Sequence, residues 1–291
     1  NEGLQHAAAF ERAEEFDVSS NQCDFLPLTY SRLVSTPVVT TIHGFSSERI
    51  LPVYRAYDDI GRYVAISDAD RHPDLSYVAT IHHGIELGAF TFRPNPGSYL
   101  LFLGRIHPDK GTHLAIEVAR RAGLPLVIAG IVQDRAYFRD LVEPHLGLEG
   151  ITYAGAVEPV ERDALLGGAF ALLHLIGFAE PFGLSVVEAM ATGTPVIAFR
   201  LGSMPELIRD GRTGFLVDDV SQAVDAVDHV DSLRRRDCRD DVEARFTAER
   251  MVADYANLFS HIVSGGPSAV SRSRRSGTST RANRTDESLT P

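Results

Sequence analysis

Two glutamates eight positions apart, Glu180 and Glu188, are the side chains whose type and spacing first suggest a site. Pro181 disfavours the helical conformation for the residue before it, so Glu180 is expected in a loop or an extended segment. From Leu184 onward the residues are apolar or small and favour a helix, which Gly193 ends. Glu188 is the one charge on that helix, and it needs a partner because burying a carboxylate unpaired costs several kcal/mol.

Two kinds of partner would satisfy Glu188. One is a salt bridge within the protein, for which Arg200 is the candidate. The other is a ligand diol that donates hydrogen bonds to the carboxylate, while the free N–H groups at the start of the helix bind a phosphate. The residues alone leave both interpretations open.

A second candidate site is the segment GRIHPDKG, residues 104–111, which follows a strand predicted over residues 99–103. Ligands of open α/β sheets bind at the carboxyl ends of strands. Arg105 offers a planar fork of donors and Lys110 a point charge, a pair that suits a diphosphate. The alternative is two solvated surface charges with Asp109 between them. The glycine spacing matches neither a dinucleotide-binding fingerprint nor a P-loop, which leaves dinucleotide-dependent oxidoreductases and P-loop kinases poorly supported.

The order of these segments resembles the retaining glycosyltransferases of family four, which have the GT-B fold. The matching blocks are GRIHPDKG, EPFGLSVVE with its two glutamates, the strand GTPV and the segment GSMPELIRDGRTGFLV at residues 202–217. The resemblance covers roughly residues 36–262, and four blocks in this order are far more specific than two spaced glutamates. It implies an α/β protein with two Rossmann-like domains facing a cleft. The implied reaction moves a sugar from a nucleotide-sugar to an acceptor hydroxyl with retention at the anomeric carbon.

The resemblance also implies roles for single residues. His43 would contact the donor sugar from the first domain, and Glu180 would bind the hydroxyls of that sugar. Arg105 and Lys110 would stabilise the departing diphosphate, and Glu188 would hold the ribose hydroxyls. No protein nucleophile is expected, because in this family the acceptor is described as attacking the sugar from the same face that the diphosphate leaves. Further donor-binding positions are Phe182, Gly183 and Leu184, with Gly130 and Val157 near the nucleobase.

His43 also has a simpler interpretation, as a loop histidine that is hydrogen-bonded to the backbone.

Two other features could suggest a metal site. Asp68 and Asp70 spell the D-x-D string of many metal-dependent glycosyltransferases, but behind Ser67 they are expected in the first turn of a helix. His82 and His83 are adjacent in an extended segment and would point to opposite faces, which suits shared coordination poorly. We therefore expect no metal and no cofactor, with the nucleotide-sugar donor as a co-substrate.

Two positions depart from the pattern of the family. The turn at His83 usually carries Asn, and the strand that ends in His174-Leu175 commonly ends in Pro-Ser. The second departure is expected to change how the loop before Glu180 packs.

Alternating short apolar runs and helical stretches predict βαβ units and parallel sheets. The first domain is expected to be incomplete, because the family has an earlier strand and a Gly-rich loop. A run of arginines and aspartates at residues 234–241 is interpreted as a solvated, salt-bridged face. The expected divisions are a partial first domain at 1–92, a nucleotide-sugar-binding domain at 93–245, a helix at 246–263 that crosses back to the first domain, and a disordered tail at 264–291.

Composition narrows the class of protein. The formal net charge of −11 argues against broad nucleic-acid binding, and no apolar run reaches the about 20 residues that cross a bilayer. Two cysteines, Cys23 and Cys238, exclude a disulfide framework and fit a reducing cytosol. A cytoplasmic protein is expected, and its basic tail leaves peripheral contact with the inner face of a membrane open.

Two other functions stay open at this stage. One is a nucleotide-sugar-binding remnant without catalysis, because the acceptor site of the family depends on loops at the start of the first domain, which is expected to be incomplete here. The other is an epimerase of related GT-B architecture, although its additional acid/base residues are not evident. The donor base, the donor sugar and the acceptor, whether a sugar, a lipid or a small molecule, are not identified by the sequence.

Overall fold

The computed structural model describes residues 2–44 and 48–265, which form two parallel β-sheets surrounded by helices. The two-sheet α/β architecture expected from the sequence is confirmed. The expected disordered tail lies outside the described residues apart from its first two positions.

The first sheet has four parallel strands in the order β1-β2-β3-β4. Its strands are β1 Ser19–Asn21, β2 Val38–Ile42, β3 Arg62–Ala65 and β4 Tyr77–Thr80, and its helices are α1 Glu2–Glu11, α2 Phe25–Leu28 and α3 Leu51–Ala56. Every residue of β2 is buried, because one face of the sheet packs on its own helices and the other on the last helix of the chain.

The second sheet has six parallel strands in the order β10-β9-β8-β5-β6-β7. Its strands are β5 Leu100–Leu103, β6 Leu126–Ala129, β7 Ile151–Gly155, β8 Ala171–His174, β9 Val196–Phe199 and β10 Gly214–Val217. Its helices are α4 Thr112–Ala122, α5 Arg135–Leu141, α6 Pro159–Gly168, α7 Leu184–Ala191, α8 Met204–Leu207, α9 Val220–Val227 and α10 Arg235–Arg245. The expected strands at 38–42 and 196–199 and the expected helix at 112–122 are confirmed to the residue.

The central strands of the second sheet are continuous apolar runs, because helices cover both faces. Leu100 and Phe102 of β5 point into one core cluster, and Leu101 points into the other. The chain runs outward from β5 through β6 and β7 and returns to the other side of β5 with β8. The strand order therefore reverses between β5 and β8, and such a reversal opens a crevice at the carboxyl ends of the strands.

The last helix, α11 Ala248–Val263, begins behind Thr247, whose side chain accepts a hydrogen bond from the backbone N–H of Arg250 at 3.2 Å. Its apolar stripe packs against buried side chains of the first sheet. That stripe comprises Met251, Tyr255, Leu258, Phe259 and Ile262, and the sheet residues are Val39 and Val64 together with Ile81 just beyond β4. The helix thus ties the end of the second domain to the first.

One local expectation is wrong and another holds only in part. The residues after Ser67 form a turn and not a helix, because Pro73 follows too soon for a helix to develop. The segment at 234–241 caps and begins α10, and Arg234 with Asp237 and Arg236 with Asp240 form the expected ion pairs. Arg235 departs from that expectation, because it is only 6% exposed. The guanidinium of Arg235 donates to four acceptors, the carbonyl oxygens of Arg93, Gly167 and Ala169 and the hydroxyl of Thr194. This part of the charge run therefore stabilises the core side of the helix.

Candidate functional site

A cavity of about 460 Å³ lies at the carboxyl edge of the second sheet, where the strand order reverses. The loops after β5 and β8 and the start of α7 form its walls. Most of the predicted site residues line this cavity, namely Arg105, Lys110, Gly130, Val157, Glu180, Gly183, Leu184 and Glu188. The parallel topology has thus brought two distant sequence blocks to one place.

Lys110 and Glu180 form an ion pair across this cavity. Lys110 Nζ lies 2.5 Å from Glu180 Oε2, and the two side chains are only 14% and 18% exposed. Lys110 Nζ also lies 4.7 Å from the centroid of the Phe178 ring. The backbone carbonyl of Glu180 accepts a hydrogen bond from the N–H of Ser203 at 3.0 Å, which fixes the loop. The pair joins the two loops that sequence analysis assigned to the diphosphate and to the sugar.

Arg105 is the exposed cation at the same edge. Its Nη1 donates to Gln133 Oε1 at 2.5 Å. Neither Arg105 nor Lys110 pairs with Asp109, whose carboxylate lies 3.3 Å from His107 Nδ1 instead. The guanidinium therefore faces the cavity, and within residues 2–44 and 48–265 no carboxylate forms an ion pair with it.

Glu188 has an ion-pair partner, but it is not the expected one. Its Oε1 lies 3.2 Å from Nη1 of Arg162 on α6, and both residues line the cavity. Burial raises the pKa of Glu188, which is 9% exposed, and the charge of Arg162 offsets part of that shift. Arg200 pairs instead with Asp210 at 3.0 Å, so its predicted pairing with Glu188 is wrong.

Sequence reasoning missed Arg162, although a signal was present. Its helix follows β7, so the first turn of α6 lies at the same carboxyl edge as the other site residues. The buried Nε of Arg162 has no hydrogen-bond partner in the described part of the chain, and the guanidinium lies 5.8 Å from the Phe90 ring. A cation thus stands beside the carboxylate expected to hold a ribose.

Glycines shape the walls of the cavity. Gly183 precedes α7 with φ +93, a left-handed conformation, and a Cβ there would lie 2.7 Å from Met204 Cε. The helix can therefore start directly at the cavity, where Leu184 and Ser185 of its first turn line the wall. First-turn N–H groups have no intrahelical partner and favour anions.

His174 ends β8 and lines the cavity. It is 6% exposed, and its Nε2 is buried without a hydrogen-bond partner among the described residues. Burial lowers the pKa of His174 to about 3, and the charge of Lys110 adds to that shift. The departure from the Pro-Ser pattern therefore places a neutral imidazole beside the cavity at physiological pH.

Two predicted site residues do not line the cavity. Phe182 is 3% exposed, and its ring packs against His82, His83 and Phe246 at 5.8, 5.0 and 6.1 Å between centroids. A large apolar ring is more stable in this core than beside charged groups. The donor-binding role of Phe182 stays a prediction. His43 lies in the first domain, where its ring stacks on His83 at 5.2 Å.

The two domains touch through hydrogen bonds at the loop that carries Glu180. Ser67 Oγ donates to the carbonyl of Pro181 at 2.7 Å. Glu206 of α8 accepts from the backbone N–H groups of Asp68 and Ala69 at 2.9 and 2.7 Å, and its Oε2 lies 2.9 Å from His82 Nε2. These contacts hold the first domain against α8 and the loop that carries Glu180.

The aspartates of the D-x-D string have separate surroundings. Asp68 Oδ1 accepts from Thr80 Oγ1 at 2.6 Å. Asp70 lies beside Gly44 and Glu206, and burial together with the charge of Glu206 raises the pKa of Asp70 to about 7. Across residues 2–44 and 48–265, no group of three or more His, Cys, Asp or Glu side chains is arranged to hold a metal ion. None of the helices in these ranges has the length and apolarity to cross a bilayer.

Residues 89–246 match the family model described as "Glycosyl transferases group 1". A D-inositol 3-phosphate glycosyltransferase of a Nocardioides species is 32% identical over 217 residues, which cover 64% of this chain and 46% of that protein. A glycogen synthase of Mycobacterium tuberculosis is 34% identical over 151 residues, covering 49% of this chain and 36% of the relative. The matched regions thus span less than half the length of these curated relatives.

Solved structures show the same fold. A sucrose-phosphate synthase from Thermosynechococcus elongatus superposes with a TM-score of 0.75 at 19% identity, covering 89% of this chain and 77% of the other. Anabaena Alr3699/HepE, crystallised with UDP and glucose, gives a TM-score of 0.73 at 19% identity, covering 88% of this chain and 80% of the other. The predicted GT-B architecture is therefore confirmed.

Proposed function

The chain belongs to the glycosyl transferases group 1 family, and from this membership we propose that it moves a sugar from a nucleoside-diphosphate sugar to an acceptor hydroxyl. The observation that carries the proposal is one cavity with a cation–carboxylate pair on two of its walls. Lys110 and Glu180 would bind the diphosphate and the sugar, and Arg162 and Glu188 would lie against the nucleoside.

We propose a nucleoside-diphosphate hexose as the donor. Alr3699/HepE, which shares the fold, was crystallised with UDP and glucose, and that supports a donor of this class here. Gly130 and Val157 also line the cavity, and we propose that the base lies beside them. Glu188 would accept hydrogen bonds from the ribose hydroxyls, and Arg162 would stay beside it to limit the cost of burying the carboxylate.

The difficult step is the departure of the nucleoside diphosphate. Arg105, Lys110 and the first-turn N–H groups of α7 would stabilise the negative charge that grows on the leaving oxygen. On binding, the diphosphate would compete with Glu180 for Lys110. That exchange would release the Glu180 carboxylate to accept hydrogen bonds from the sugar.

We propose transfer with retention, as in family four, without a protein nucleophile. The acceptor would attack from the face that the diphosphate leaves, and a phosphate oxygen would take the acceptor proton. Glu180 would bind the sugar and not form a covalent intermediate. His43 would contact the sugar from the first domain. Its neighbour Gly44 lies against Pro181 on the loop that carries Glu180, where an added Cβ would lie 2.8 Å from Pro181 Cγ.

The test is a panel of nucleoside-diphosphate sugars screened by thermal shift, followed by product detection with the best ligand. A stabilising donor and a glycosylated product of retained configuration would support the proposal. Donor binding without transfer to any acceptor would favour the non-catalytic interpretation. A nucleotide-sugar in which one stereocentre of the sugar has been inverted, without transfer, would favour the epimerase. Turnover should survive chelation; activity lost with a chelator and restored by manganese would overturn the proposed metal independence.

A further inference from the structure

His43 lies within a hydrogen-bonded and stacked arrangement that specifies its protonation. Resting on the proposed function, we propose that Gln22 and His83 are positioning residues that hold His43 as a neutral imidazole protonated at Nε2. Its Nδ1 is then a hydrogen-bond acceptor for a hydroxyl of the donor sugar, and the ring supplies no positive charge to the diphosphate.

Gln22 decides which nitrogen of His43 carries the proton. Gln22 Oε1 lies 2.8 Å from His43 Nε2. The amide group of Gln22 donates its two protons elsewhere, to Ser20 Oγ at 3.0 Å and to Thr41 Oγ1 at 3.1 Å. Its carbonyl oxygen can only accept, so Nε2 of His43 must be the donor.

The orientation of Gln22 is fixed by the last helix. Thr41 Oγ1 lies 2.8 Å from the hydroxyl of Tyr255 on α11. Tyr255 packs in the cluster between α11 and the first sheet. The hydrogen-bonded chain therefore runs from α11 through Thr41 and Gln22 to His43, and it is anchored at both ends.

His83 covers one face of the His43 ring. The two rings are nearly parallel at 7°, with centroids 5.2 Å apart, and Phe182 meets His83 edge-on at 5.0 Å. Burial lowers the pKa of His43, and burial with neighbouring positive groups lowers the pKa of His83 to about 4. Burial disfavours charging either ring, and charging both would place two cations face to face, so the two stacked imidazoles stay neutral at physiological pH.

The charged and titratable groups around the stack favour the neutral state. Arg250 of α11 donates to the backbone carbonyls of His82 and His83 at 2.7 and 3.2 Å, so its positive charge lies close by. The carboxylate of Glu206 is hydrogen-bonded to His82 Nε2 and accepts from the backbone N–H of Asp68. Asp70 accepts from the N–H of Gly44, next to His43, and burial keeps its carboxyl protonated up to about pH 7.

The stack also joins His43 to the loop that carries Glu180 and Phe182. Phe182 follows Glu180 by two positions, so the ring beneath His83 belongs to the segment that would bind the sugar. A neutral acceptor at this point suits a hydroxyl, whereas an imidazolium would suit a phosphate. The Asn that the family usually carries at the His83 position cannot stack in this way.

The first experiment reads the imidazole directly in the full chain. Nitrogen NMR of the protein labelled at its histidines, with His43→Asn used to assign the signal, should show the Nε2–H tautomer and a titration midpoint below the ordinary value of about 6.5. Gln22→Glu should raise that midpoint by about one pH unit, a tenfold shift in proton affinity, because a carboxylate stabilises the imidazolium. Gln222→Glu, the same substitution on exposed α9, is the control and should leave it unchanged. An Nδ1–H tautomer, or a midpoint that Gln22→Glu does not move, would overturn the proposal.

The second experiment separates stacking from other effects of His83. His83→Phe keeps an aromatic face, whereas His83→Asn removes it. We expect His83→Asn to raise the His43 midpoint and to weaken binding of the intact donor about tenfold, with diphosphate affinity unchanged, and His83→Phe to restore both. The same His43 titration midpoint and the same donor affinity in His83→Asn and His83→Phe would contradict the positioning role of His83. A chain that binds no nucleotide-sugar would defeat the proposed function, while the NMR titration would still decide the state of His43.

Discussion

Lys110 Nζ lies 2.5 Å from Glu180 Oε2, and this contact joins the loop after β5 to the loop before α7. Each side chain neutralises the other inside a cavity where both are mostly shielded from water. A ligand that binds Lys110 must replace Glu180 as its partner. The ion pair therefore links the position proposed for the diphosphate to the position proposed for the sugar.

Removing either cation at the β5 loop should weaken binding of the nucleoside diphosphate. We expect Arg105→Ala and Lys110→Ala each to lose roughly 1.5–3 kcal/mol, the usual range for hydrogen bonds to charged groups. The loss in Lys110→Ala includes the effect of leaving Glu180 without its partner. Arg120→Ala, which removes an exposed arginine paired with Glu149, is the control. Calorimetry that gives unchanged affinity in both site variants would contradict the assignment of these cations.

The two glutamates should have different roles. Glu188→Gln should weaken binding of the nucleoside diphosphate and of the intact donor together, by about 1–3 kcal/mol, because the proposed ribose contact is the same in both ligands. Glu180→Gln should not weaken diphosphate binding and should strengthen it, because Lys110 is then released from its ion pair. The same variant should weaken donor binding or slow transfer. Each variant is titrated with the diphosphate alone and with the intact donor. Equal loss of diphosphate affinity in the two variants would show that the roles are wrongly divided.

Arg162 should stabilise the folded protein through Glu188. Arg162→Ala leaves a mostly buried carboxylate without its cation, and we expect the free energy of unfolding to fall by roughly 1–2 kcal/mol, below the value for a fully buried pair because Arg162 is partly exposed. Glu188→Gln in the same background should recover most of that loss, since no charge is then left unpaired. A denaturant double-mutant cycle measures the coupling, and strictly additive effects would show that the pair contributes nothing.

Asp70 should make stability depend on pH. Its ordinary pKa of 3.8 is raised to about 7 in the folded state, so the folded protein keeps a proton that the unfolded chain releases earlier. This contribution is complete below the unfolded pKa and is lost as the pH rises through about 7. Asp70→Asn should therefore raise the melting temperature more near about pH 8 than near about pH 4.

The control for this comparison is Asp225→Asn, which removes an exposed aspartate of α9. It accounts for the general effect of losing one negative charge from an acidic protein. A gain that is the same at both pH values for Asp70→Asn, or the same in the two variants, would mean that Asp70 ionises as an exposed carboxylate does.

The architecture and the place of the site followed from the sequence. Strands such as β2 and β9 are short apolar runs bounded by Gly, Pro or polar residues, and helix α4 has a clear repeat, so local patterns set their bounds. Parallel strands end at the same edge of a sheet. Segments 104–111 and 177–188, far apart in the chain, were therefore expected to meet, and they line one cavity.

The tertiary structure alone decided which side chains pair. Glu188 meets Arg162 and not Arg200, and Phe182 packs in the core and not against the cavity. The stacking of His43 on His83 also had no signal in either segment. Periodicity and turn residues report the conformation of a few neighbouring residues, whereas these contacts depend on how whole helices and loops pack across the sheets. The partner of a buried charge is set by that packing, because the carboxylate pairs with whichever cation the fold brings within reach.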